Sequence, residues 1–117
     1  MALIKLDFTN YAEAQDMIKL IMQEKGFSVV EAINFTITPT IYRRILKTGW
    51  GSIALSVWGH GDPERMWQSL EEPKVEMELE SNKIRALEEI IQKEDVNTET
   101  ALSYFLIFTM ESLGYHI

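Results

Sequence analysis

The 117-residue sequence predicts an α+β fold: a small mixed or antiparallel sheet of about four strands, packed helices and an apolar C-terminal helix. Three observations predict it. Stretches 2–8, 32–38, 53–57 and 75–79 alternate large apolar and polar side chains at the period of a strand. Elsewhere apolar residues recur at helical spacing, as in Ala14, Met17, Ile18, Ile21 and Met22, or Ile84, Leu87, Ile90 and Ile91. Finally, "ALSYFLIFTM", residues 101–110, is apolar on nearly every side, and such a helix must be covered all round.

In the first strand Ile4, Leu6 and Phe8, with Leu3, are set around Lys5 and Asp7. Asn10 with Glu13 three residues later reads as a capping box opening a helix that Gly26 ends. In "FSVVEAINFTIT", Ile33, Phe35 and Ile37 alternate with Asn34, Thr36 and Thr38, the pattern of a half-buried strand. "TPTIYRRILKTG" supports two readings. Pro39 at a first helical position, Ile41 with Ile45, and Gly49 as terminator describe a helix; residues 41–48 and 52–58 could equally form a hairpin around "TGWG". "SIALSVW" reads as a strand from the alternation of Ile53, Leu55 and Val57. "DPERMWQSL" reads as a short helix capped by Asp62, with Pro63 in its first turn.

Beyond Pro73 the pattern is strand, helix, turn, helix. Val75, Met77 and Leu79 point one way, and Lys74, Glu76, Glu78 and Glu80 the other. Ser81 or Asn82 caps the next helix, "KEDVNT" breaks it, and Asn97 or Thr98 caps a last helix running to about Leu113. The chain is expected to be one domain, 1–117, with an α+β half (1–72) and a strand-helix-helix half (73–117). No stretch repeats and none is low-complexity.

The order and lengths of residues 74–113 resemble the ribbon-helix-helix unit of small DNA-binding repressors and antitoxins. The resemblance implies a strand paired antiparallel with its copy in a dimer, and interlocked helices. It also implies that the outward strand residues enter the major groove, where Arg, Lys, Asn and Gln make the commonest base contacts. At the matching positions this sequence has Lys74, Glu76, Glu78 and Glu80, so a paired ribbon would set six glutamates against two lysines in a groove walled by phosphate. Asp95 and Glu99 add negative charge where members of the family approach the backbone. DNA binding is therefore not expected, even if the unit is present.

Composition narrows the function further. There is no cysteine, which removes disulfides, thiolate metal sites and cysteine nucleophiles and fits a reducing compartment. "MALIKLDF" lacks the apolar run of a signal peptide, and residues 101–110 are about half a membrane span. A soluble cytoplasmic protein is expected. The net charge of −7 is uneven: residues 1–72 carry seven Lys/Arg against nine Asp/Glu, residues 73–117 four against nine. A nucleic-acid partner is disfavoured, most of all by the C-terminal part.

The most enzyme-like stretch is "WGHGDPE", where His60 lies between glycines with Asp62 and Glu64 close by. A histidine beside carboxylates can serve as a base or a metal ligand. Yet Asp62, Pro63, Glu64 and the glycines are also what a turn entering a helix requires. Two histidines and no cysteine leave little for zinc, and no phosphate loop, nucleophile elbow or H-E-x-x-H occurs, so no metal and no cofactor are expected. The acidic row Glu76, Glu78 and Glu80 suits a solvated sheet face, or a dock for a basic partner. The basic cluster Arg43, Arg44 and Lys47 suits a solvated helix face or an acidic contact, and Trp50 in "GWG" is the aromatic expected at an interface.

Covering the last helix all round is difficult for so short a chain, so a homodimer through Tyr104, Phe105, Leu106 and Phe108 is expected; a helix running through the chain's own centre is the alternative. The leading functional expectation is a non-enzymatic protein-interaction or regulatory module acting as a homodimer with an unidentified protein partner. A ribbon-helix-helix transcriptional regulator is second. A small enzyme or metal-binding protein centred on His60 is third.

Overall fold

A computed structural model describes residues 1–58 and 66–115. Among them the elements run β1 (Ala2–Asp7), α1 (Ala12–Lys25), α2 (Val29–Thr36), α3 (Pro39–Thr48), α4 (Gly51–Val57), β2 (Lys74–Leu79), α5 (Ser81–Glu94) and α6 (Thr98–Ser112). The α+β class holds, but the sheet has two strands among the described residues, not four. β1 and β2 pair antiparallel, with Ala2 opposite Leu79 and Asp7 opposite Lys74.

Two expected strands are helices. Residues 29–36 form α2 because Ser28 and Glu31 make a reciprocal capping box: the Glu31 N–H donates to Ser28 Oγ at 3.1 Å, and the Ser28 N–H to Glu31 Oε1 at 3.0 Å. The buried residues Ala32, Ile33, Thr36 and Ile37 then follow helical spacing. Phe35, expected inward, sits on the surface against Phe27, ring centroids 5.5 Å apart. "SIALSVW" is α4, which buries Gly51, Ala54 and Trp58 at spacings of three and four and turns Ile53 and Val57 outward. β-Propensity is overridden here by the need to bury Trp58.

Of the two readings of residues 39–48 the helix holds. Thr38 Oγ1 accepts from the Ile41 N–H, Pro39 occupies the first turn, and Gly49 ends α3 at φ 65°. α1 begins without the expected Asn10–Glu13 box; Tyr11 stands at its N-cap with no side-chain cap. Glu80, not Ser81 or Asn82, is the N-cap of α5, while Asn97 caps α6 as expected, accepting from the Thr100 N–H at 2.9 Å. The helix expected over residues 62–70 lies partly outside the described residues; Met66–Leu70 are irregular.

That irregular segment is held down by polar side chains of α1. Gln15 Nε2 donates to the Phe8 carbonyl at 2.7 Å, and its Oε1 accepts from the Leu70 N–H at 3.0 Å. Asp16, wholly buried, accepts from Trp58 Nε1 at 2.8 Å and the Gln68 N–H at 3.0 Å. Two buried polar residues at consecutive positions thus fasten α4 and the 66–70 segment to α1.

α6 is the centre. It touches β1 and each of the helices α1 to α5, and residues 101–110 are all buried. Its buried hydroxyls are satisfied along the helix, Ser103 donating to the Glu99 carbonyl and Thr109 to that of Phe105, both at 2.8 Å. The outcome for the dimer expectation follows directly. Tyr104, Phe105, Leu106 and Phe108 are enclosed by their own chain, so the physical argument that they need a second subunit is removed. The other reading of this helix, a path through the centre, is what the structure shows.

Two outcomes are expected from this packing. A Cβ added at Gly51 would lie 2.8 Å from Tyr104 Cγ, against a ring that cannot swing away. Gly51→Ala should therefore lower stability by about 1–3 kcal/mol, despite the better helix propensity of alanine; an unchanged or higher urea midpoint would refute the close contact. Burial first, and then the Glu94 carboxylate, hold the Tyr104 phenol above its ordinary pKa of 10.0. A raised folded value means that this contribution is intact below pH 10.0 and lost as pH climbs through the folded value. Tyr104→Phe should flatten the alkaline fall in stability, measured as urea-unfolding free energy against pH.

Candidate interaction surface

With the core closed around α6, the informative residues are apolar side chains left outside it. α4 carries a row of them. Trp50 is 60 % exposed, Ile53 64 % and Val57 42 %, at spacings of three and four along one helix face. Beside the row lies an open groove of about 530 Å³, with Phe108 in its floor and Arg44 and Glu111 on its walls.

The groove's polar wall is preorganised. Arg44 pairs with Glu111, and its guanidinium stands 5.4 Å from the centre of the Phe108 ring. This fixes a long side chain that would otherwise be mobile. Arg43 and Lys47, one stripe further round α3, are exposed and make no ion pair among the described residues. α3 carries three basic and no acidic residues on a chain of net charge −7, and so is a local reversal of the overall field.

The sheet presents the other candidate face. Glu76, Glu78 and Glu80 are exposed while Val75, Met77 and Leu79 are buried, the orientation that the alternation predicts. Lys5 lies opposite Glu76 with a 3.8 Å contact between exposed groups, a pair of small energetic weight. Asp7 accepts from the Thr9 hydroxyl and from its N–H at 3.0 Å; these bonds, with the nearby Lys74 charge, hold its carboxyl below the usual range. β2 meets β1 of its own chain along one edge, whereas the ribbon-helix-helix resemblance implied pairing with a copy.

His60, Asp62 and Glu64 lie outside the described residues. Among those described, no cluster of three or more His, Asp or Glu could hold a metal, and no helix is long and apolar enough to cross a membrane. Of the residues the sequence singles out, Trp50, Arg43 and Lys47 are exposed and Arg44 half-buried, whereas Ile53 and Val57, expected inside a strand, lie on the surface. The helical spacing of Ala54 and Trp58 was the available signal. No family model, curated protein or solved structure matches the chain.

The geometry separates surface from core in a measurable way. Ile53→Asp should change stability by less than about 0.5 kcal/mol, as expected at an exposed helix position. Phe108→Ala, at a residue lining the same groove but buried, should cost about 3–5 kcal/mol. Thermal or urea unfolding in which the two substitutions cost the same would show that the α4 face is covered in solution.

Proposed function

We propose that this protein is a non-enzymatic interaction module that docks another protein on the outer face of α4. The observation that supports this reading is the row Trp50, Ile53 and Val57, exposed although the chain has already enclosed a complete apolar centre. Three large apolar side chains in one line, next to a groove and a fixed arginine, have the composition of an interface core rather than a solvated helix. Trp and Arg are also the residue types that most often dominate binding energy when they become fully desolvated.

The acidic face of β2 supports a weaker second reading. Its glutamates are what a solvated sheet face needs, and they offer a partner charge but little apolar area. Such a row steers encounters more than it holds a complex.

A photo-crosslinking side chain at Ile53, in the full chain expressed in its own cells, should yield a discrete adduct that mass spectrometry assigns to one partner. The same group at exposed Glu88 should yield none. Adducts that form from Glu78 and not from Ile53 would move the docking site to the sheet and overturn this proposal.

A further inference from the structure

We infer that the outer edge of β2 takes an extended, basic segment of another protein as a third strand of the sheet. The ladder fixes which backbone groups are free. The Phe8 N–H donates to the Pro73 carbonyl at 2.9 Å, so the next pair along, Asp7 and Lys74, is one that does not exchange hydrogen bonds. By the same alternation Lys5–Glu76 and Leu3–Glu78 are of this second kind. The N–H and C=O groups of Lys74, Glu76 and Glu78 therefore point away from β1, and among the described residues nothing bonds them. The outer edge of β1 is partly closed, because the Asp7 N–H donates to Glu99 Oε2 at 3.0 Å.

The usual guards of a sheet edge are missing on β2. Its register runs one to one with no bulge, Pro73 lies before the strand, and the inward residues Val75, Met77 and Leu79 are apolar. What remains is the row Glu76, Glu78 and Glu80, and that guard is selective by sign. Among the described residues Glu78 and Glu80 make no ion pair, and Glu76 has only its 3.8 Å contact with Lys5. Residues of an incoming strand directly opposite Glu76 and Glu78 would stand on the same exposed face, where lysine or arginine is attracted and acid repelled. A second copy fits less well. Paired antiparallel with Lys74 opposite Glu78, it sets Glu76 against its own counterpart; a shift by one pair sets Glu78 against Glu72 or Glu76. Backbone hydrogen bonds supply the hold that exposed charge alone lacks. The edge shares no residue with the α4 row, so the two surfaces stand or fall separately.

The experiment uses the full chain and peptides of about nine residues, long enough to span the strand, in which threonine alternates with lysine or with glutamate. Fluorescence anisotropy at low salt should show the lysine peptide binding at least about tenfold more tightly. Glu76→Lys with Glu78→Lys should reverse the preference at an unchanged melting temperature, since both side chains are exposed. N-methylation separates strand addition from charge attraction. Methyl groups on the lysine amides, which would face β2, should abolish binding; on the threonine amides, which would face away, they should change it by less than about twofold.

Methylated peptides that behave alike would reduce the contact to charge attraction and overturn the third strand. So would binding that survives Glu76→Lys with Glu78→Lys and disappears on Ile53→Asp, which would return the peptide to α4. No binding of either peptide, beside a discrete crosslink from Ile53, would strike the edge and keep the α4 face. A chain that sediments as a dimer and comes apart when the lysine peptide is added would give the edge to a second copy and overturn the basic partner.

Discussion

Everything in this fold depends on covering α6. A helix with ten consecutive buried residues cannot lie on a surface, and the remainder of the chain is arranged as its covering. α1, α3, α4 and α5 each give it one apolar face, α2 and β1 close the gaps, and the two-stranded sheet is a lid more than a scaffold. This explains why short elements with modest propensity hold their shape. α4 has seven residues, too few to be helical alone, and is maintained by Ala54 and Trp58 packing inward and by the Trp58 indole donating to Asp16.

How much of this was legible in the sequence depended on whether a local signal and the burial pattern agreed. At β2, α5 and α6 they did: period and breaks coincided, and the elements lie where the alternation, "KEDVNT" and Gly114 place them. At α2 they conflicted. Ile33, Phe35 and Ile37 alternate perfectly, but Ile33 and Ile37 are also four apart, and Ser28 with Glu31 supplied the start signal of a helix. Short apolar runs satisfy both periods, and then the cap is the better guide. α4 held no cap at all, so only its packing could decide.

The candidate surface was half legible for the same reason. Trp50 and the basic residues of α3 were visible because their chemistry does not depend on secondary structure. Ile53 and Val57 became surface residues only once 51–57 was helical, since changing the period reassigns which side chains face out. The dimer expectation rested on an underestimate of covering power. Five helices, none longer than fifteen residues, suffice to surround one when all of them lie against it.

The pairing of β1 with β2 sets a temporal constraint on this chain. Ala2 meets Leu79 and Asp7 meets Lys74, so nearly everything between the two strands must be synthesised before the first strand finds its mate. Until then β1 carries unsatisfied edges on both sides and an apolar face, Ile4 and Leu6, with nothing to rest on. Closure is thus a late, non-local event, and a ribosome that paused anywhere in the first four helices would leave a sticky N-terminal ribbon waiting in the open.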